Sequence, residues 1–185
     1  MKNILLCVTG SIAAYKAAEL ANRLTKDGYH VEVIMTDGAL EFVTPLTFQS
    51  LTKNKVYTSM FDEYEPDQVE HISLAKKADL CLVAPATANI IGKIAGGIAD
   101  NMATTVIMAL AHAPVFICPA MNTNMYHNPI VQRNIKDLEE LGYHFIEPRE
   151  SRLACGDLGK GALADVEVII ETVEKHLQSM KEKDI

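Results

Sequence analysis

The sequence predicts a doubly wound α/β sandwich, a mainly parallel sheet flanked by helices in the Rossmann or flavodoxin-like three-layer arrangement. Two observations predict it. Short, continuous apolar runs, the mark of strands buried on both faces, alternate with amphipathic helical stretches along the 185 residues. The first stretch of the chain already reads as strand, helix, strand, a βαβ unit whose crossover is right-handed in nearly all proteins.

In chain order, Ile4 to Val8 is an apolar run that stops at Thr9-Gly10. Ala17, Leu20, Ala21 and Leu24 then repeat at helical spacing, and Gly28 stands where a helix stops. Val31 to Met35 is the second strand. The segment from Thr44 to Gln68 is the least regular part and has room for a short helix and an edge strand. Val69 to Lys76 reads as helix, and Leu80 to Ala84 as a buried strand stopped by Pro85. Ile90 to Ala95 and Met102 to Ala111 are helical pieces broken at Gly96-Gly97. Val115 to Cys118 is a strand stopped by Pro119. Val131, Ile135, Leu138 and Leu141 make a helix face ended by Gly142, and Tyr143 to Ile146 follows as a strand. Asp165 can cap a last helix with Ile169, Val173, Leu177 and Met180 facing the core. A single domain is expected over 1–180, with a polar tail at 181–185.

Composition narrows the function. With 49% hydrophobic and 22% charged residues the chain is an ordinary globular protein. A net charge of -7 argues against a nucleic-acid partner, which needs a cationic face. No apolar stretch approaches the roughly 20 residues that span a bilayer, so no membrane partner is expected. Four cysteines without a secretory cleavage site read as reduced thiols of a cytoplasmic protein.

Three of those cysteines, Cys7, Cys81 and Cys118, lie in the apolar runs and need no role beyond packing. Cys155 does not. It sits in the polar stretch Arg152 to Gly161, followed by Gly156, Gly159 and Gly161, which reads as a mobile glycine-rich loop. A thiol displayed there fits chemistry, although a loop cysteine without a role is an equal reading at this point.

In open α/β sheets ligands bind beyond the carboxyl ends of the strands. The first strand ends in Thr9-Gly10-Ser11-Ile12 and turns directly into a helix, whose N–H groups can hold a phosphate. The spacing is not G-x-G-x-x-G, so a mononucleotide fits better than a dinucleotide; a plain turn and cap is the alternative. Two further strand mouths read Pro85-Ala86-Thr87-Ala88-Asn89 and Pro119-Ala120-Met121-Asn122. Thr87, Asn89 and Asn122 offer donors to a phosphate, a ring carbonyl or a carboxylate, and each motif alone could equally be a tight turn. His71 opens a helical segment, where the helix start disfavours its cationic form and suits a neutral base; a surface histidine is the competing reading.

Together these stretches resemble the homo-oligomeric flavin-containing cysteine decarboxylases. The motifs are Gly10-Ser11-Ile12-Ala13-Ala14-Tyr15-Lys16, His71-Ile72, Pro85 to Asn89, Gly97-Ile98-Ala99-Asp100-Asn101, Pro119 to Asn122, and Ala154-Cys155-Gly156, in the family's order. The resemblance implies FMN as cofactor, held by Gly10, Ser11, Ile12, Thr36, Thr87, Ala88, Asn89, Ala120 and Met121. It implies a small phosphorylated substrate, 4'-phosphopantothenoylcysteine, whose CH–S group is oxidised towards a thioaldehyde before carbon dioxide leaves. His71 would then be the base, Asn122 the carboxylate holder with Ala154 and Gly156 at the substrate, and Cys155 the proton donor when the ene-thiol is reduced. Homo-oligomers, trimers or dodecamers built of trimers, with the flavin at subunit contacts, are implied as well.

Three alternatives share the scaffold: a peptidyl-cysteine decarboxylase of lantibiotic maturation, a flavin prenyltransferase, and a non-catalytic FMN-binding regulatory subunit. The first needs no reducing-step cysteine, the second has no use for the His71, Asn122 and Cys155 set, and the third departs from that set. An NAD-linked enzyme with Asp37 at the ribose is disfavoured by the missing glycines.

Overall fold

The computed structural model describes residues 1–61, 69–152 and 158–183. The chain begins with strand β1 (Asn3–Val8), helix α1 (Ala14–Lys26) and strand β2 (His30–Met35). Helices α2 (Asp37–Leu40) and α3 (Pro45–Thr52) lead to the short strand β3 (Val56–Tyr57), which supplies the helix and edge strand expected of the irregular segment. Next come α4 (Glu70–Lys77), β4 (Leu80–Ala86), α5 (Ala88–Ala95), α6 (Met102–Ala109) and β5 (Val115–Pro119). The rest is α7 (Thr123–Tyr126), α8 (Pro129–Glu140), β6 (His144–Phe145), β7 (Arg149–Arg152), β8 (Leu158–Ala162) and α9 (Val166–Lys183). The last helix reaches three residues past the domain boundary expected from sequence.

Six strands form one parallel sheet in the order β3-β2-β1-β4-β5-β6. The two central pairings are long: Asn3 to Val8 of β1 register on His30 to Met35, and Ile4 to Cys7 on Leu80 to Val83. Alternation of side chains along each strand divides the core into two layers. Ile4, Leu6 and Val8 face α1 and α9 residues such as Leu20, Leu24, Ile169 and Val173. Leu5, Cys7, Cys81 and Val83 face the other layer, with Ile90, Val106 and Leu138. Burying both faces explains why the strands read as unbroken apolar runs.

Two expectations are corrected. Pro85 does not stop β4: the strand continues to Ala86, which pairs with Pro119 after a register shift beyond Val83. A proline is accommodated there because the ladder is irregular at that step. The glycine-rich stretch is not one loop either. Its flanks are the arms of an antiparallel hairpin, with Ser151 opposite Gly159 and Arg152 opposite Leu158. No helix among the described residues is long and apolar enough to cross a membrane.

Candidate active site

The strand order reverses between β1 and β4, the place where parallel α/β sheets open a ligand crevice beyond their carboxyl ends. A cavity of about 880 Å³ lies there, within the range of about 300–1,000 Å³ usual for small-molecule sites. It gathers Gly10, Ser11 and Ile12 after β1, Thr36 after β2, Thr87, Ala88 and Asn89 after β4, and Ala120, Met121 and Asn122 after β5. All the cofactor positions expected from sequence therefore share one cavity.

Thr9, which the sequence reading passed over, ties two of these mouths together. Its buried hydroxyl donates to the Pro85 carbonyl at 2.6 Å and accepts from the Thr87 N–H at 3.1 Å. A threonine ending an apolar strand was the available signal. Ser11 closes the first mouth as a tight turn: its N–H donates to the Thr9 carbonyl at 2.8 Å, and its Oγ accepts from Ala13 N–H at 3.2 Å. The turn is compact because Gly10 lies against Gly38, where a Cβ would come within 2.8 Å of the Gly38 backbone.

The starts of α1 and α5 both line the cavity, and neither carries an acidic residue in its first turn. The leading N–H groups of a helix have no partner within it, and its dipole favours an anion. In α5 the Thr87 hydroxyl accepts from Ile90 N–H at 3.3 Å, while Ala88 and Asn89 supply the first N–H groups. A site with cationic helix ends, hydroxyls at Ser11 and Thr87, and apolar walls at Ile12, Ala120 and Met121 fits a phosphorylated, flat, amphipathic group such as FMN.

Asn122 caps α7. Its Oδ1 accepts from Asn124 N–H at 2.8 Å, which fixes the amide plane at the cavity wall. The amide nitrogen is the part with the chemistry to donate to a carboxylate. Three cationic side chains, Lys16, Lys93 and Arg149, are among the described residues that line the cavity. Lys93 meets Asp100 at 2.6 Å and Arg149 meets Asp165 at 3.2 Å. Lys160 pairs instead with Glu147 and stands 5.7 Å over the Tyr126 ring. The side chain of Arg152, like residues Ala154, Cys155 and Gly156, lies outside the described part of the structure.

His71 is not among the residues lining this cavity. It is the second residue of α4, half-buried, beside Glu70, whose carboxylate meets Lys55 at 2.6 Å. The three strand cysteines behave as packing residues. Burial alone pushes the Cys118 thiol well up, and Cys81, 3.9 Å from Cys7, is raised by that contact and by burial.

Known proteins resemble this chain in sequence and in fold. The family model described as Flavoprotein matches residues 1–178. A probable phosphopantothenoylcysteine decarboxylase of Streptococcus mutans is 55% identical over 177 residues, covering 95% of this chain and 99% of that protein. The coenzyme A biosynthesis bifunctional protein CoaBC of Bacillus subtilis is 55% identical over 175 residues, covering 95% of this chain and 43% of that longer protein. Among solved structures, a cysteine-to-serine mutant of PPC decarboxylase complexed with pantothenoylaminoethenethiol matches with a TM-score of 0.87 at 35% identity, covering 96% of this chain and 98% of that one. The strand-mouth cavity and a match running from the first strand into the last helix lead to one conclusion: the chain belongs to the Flavoprotein family.

Proposed function

We propose that this protein is an FMN-dependent carboxy-lyase that converts 4'-phosphopantothenoylcysteine to 4'-phosphopantetheine and carbon dioxide in coenzyme A biosynthesis. The observation that carries the reading is the meeting of two acid-free helix starts and the fixed Asn122 amide in one cavity. It is supported by the 55% identity to a probable decarboxylase, 99% of whose length the match covers.

When bound, FMN supplies the two-electron oxidation of the substrate's CH–S carbon and returns the electrons once carbon dioxide has left. The turn at Gly10-Ser11 and the start of α5 would hold its phosphate and polar groups, and Ile12, Ala120 and Met121 would supply apolar contact. Asn122 donates from its amide nitrogen to the substrate carboxylate. That bond is lost when the carboxylate becomes neutral carbon dioxide, so it orients the group without trapping the product. His71 accepts the proton released as the CH–S carbon is oxidised. Cys155 donates a proton to the ene-thiol carbon; an ordinary thiol, with a pKa near ~8.5, is protonated at neutral pH and can do so. Among the three lining cations, Lys16 has no carboxylate within ion-pair reach in the described structure, and we assign it to a ligand phosphate.

His71 reaches the chemistry from a second copy of the chain in a homo-oligomer, a trimer or a dodecamer of trimers. The support is apolar surface at both ends of that contact. Ile12 and Tyr15 at the cavity rim are 60% and 62% exposed, and Val69, beside His71, is 59% exposed. Large apolar side chains left open around a polar site are what a subunit contact covers. The protein is expected to act in the cytoplasm.

The purified protein should be yellow, and denaturation should release a chromophore with the mass of FMN. Incubation with 4'-phosphopantothenoylcysteine should release carbon dioxide. A protein that binds FMN and releases none would favour the regulatory-subunit reading instead.

A further inference from the structure

The glycines of β8 have a use that a mobile loop would not give them. Gly159 and Gly161 are two apart, so they share one face of the strand, and that face lies on the Met121-Asn122-Thr123 segment. The Met121 N–H donates to the Gly161 carbonyl at 2.9 Å. A Cβ on Gly161 would run into the Met121 carbonyl oxygen, and its φ of +153° is one that other residues rarely adopt. A Cβ on Gly159 would stand 2.6 Å from Thr123 Oγ1 and 2.8 Å from its Cγ2. The seating is close enough that the buried Thr123 hydroxyl has no hydrogen-bond partner among the described residues. Beside this segment, Lys160 reaches Glu147 and lies over the Tyr126 ring, bracing the same strand against α7.

We infer that Gly159 and Gly161 are positioning residues of the active site: their bare backbone lets β8 press on Met121 and Thr123 and so sets where Asn122 stands in the cavity. The inference rests on Asn122 as the carboxylate holder. Asn122 is flanked in sequence by the two residues that β8 touches, and its Oδ1 is already anchored to Asn124 N–H, so a shift of the segment moves the amide as a body. Displacing a positioning group by about 1 Å can cost about a hundredfold in rate.

The test is Gly159→Ala in FMN-loaded protein with Thr, Ser or Ala at position 123. Truncating Thr123 removes first Cγ2 and then Oγ1, the two atoms that an added Cβ would meet at under 3.0 Å. The expected cost of Gly159→Ala in kcat for carbon dioxide release is about tenfold or more beside Thr123, less beside Thr123→Ser, and within about twofold beside Thr123→Ala, each measured against its own background. If the first variant does not fold, the other two carry the comparison. Affinity for 4'-phosphopantetheine, which lacks the carboxylate, should stay within about twofold throughout, whereas affinity for 4'-phosphopantothenoylcysteine should fall with kcat. Equal costs in all three backgrounds, or equal loss of both ligands, would overturn the inference. A parent protein that releases no carbon dioxide would instead overturn the function on which it rests.

Discussion

The strand mouths and the β7–β8 hairpin face the same cavity but are built differently. The mouths of β1 and β4 end strands buried on both faces, registered over four consecutive pairs from Ile4 to Cys7. Their loops inherit the rigidity of the sheet. The hairpin stands outside that sheet, its two strands pair only with each other among the described residues, and it presents Arg149, Ser151 and Gly161 to the cavity. Its placement comes from a backbone bond to Met121 and the absence of two Cβ atoms. A cofactor that stays bound suits the first kind of support. A substrate that must enter, change and leave suits the second.

Breaking the chemistry should show the largest effect. His71→Asn is expected to lower carbon dioxide release by about 10²–10⁴-fold while FMN stays bound, since a general base is worth that much. Mixing His71→Asn with Asn122→Ala chains under conditions of subunit exchange should recover activity, because some sites then take an intact residue from each copy. Failure to recover would place His71 and Asn122 on the same chain's site. Cys155→Ser comes next: carbon dioxide release should persist, with the saturated thiol reduced by about tenfold or more in favour of the ene-thiol.

On the rigid side, Thr9→Val removes the donor to Pro85 and the acceptor for Thr87 N–H while keeping the shape. Stranding those groups should cost about 1–3 kcal/mol of stability, read as a lower Tm, and weaken FMN binding. Alkaline pH should act on the same core. Burial raises the Cys118 thiol and pushes the Tyr57 phenol up to about 12, so both stay neutral in the folded protein. A folded pKa above the unfolded one gives stability that is complete below the unfolded value. The loss begins as pH rises past about 8.5 for the thiol and about 10 for the phenol, and it continues until the raised folded value is passed, about 12 for Tyr57. A Tm that is flat from neutral pH to that range and falls above it is the expected profile. The smallest effect belongs to Arg23→Ala at the far edge. Its partner Glu167 is held below the usual carboxylate range by the guanidinium, but the pair is exposed, and its loss should disappear into added salt.

What the sequence makes legible follows the same division. Runs such as Ile4 to Val8 and Val31 to Met35 announce parallel strands because both faces must be apolar, and the rule placing ligands at strand ends then finds Gly10, Thr87 and Asn122. Pro85 misleads because a missing N–H matters only where the ladder needs one, and the register shift after Val83 removes that need. The hairpin is invisible to strand periodicity. Arg149 to Arg152 has no apolar side chain, and Gly159, Lys160 and Gly161 have low strand propensity. Their conformation is decided by α7 and the Met121 segment, contacts far away in sequence. Glycines at 156, 159 and 161 suggest backbone freedom in the sequence, whereas at Gly159 and Gly161 an added Cβ would meet Thr123 and Met121. His71 is legible as a candidate base from its place at a helix start, whereas its absence from the cavity lining of its own chain is not something a local pattern shows.

The central claim, a decarboxylase that finishes with a saturated thiol, is tested most directly by the mass of the product formed from 4'-phosphopantothenoylcysteine by the FMN-loaded protein. The account predicts one 4'-phosphopantetheine for each carbon dioxide released, with no net change in the flavin. A product two hydrogens lighter, accumulating with reduced flavin, would contradict it.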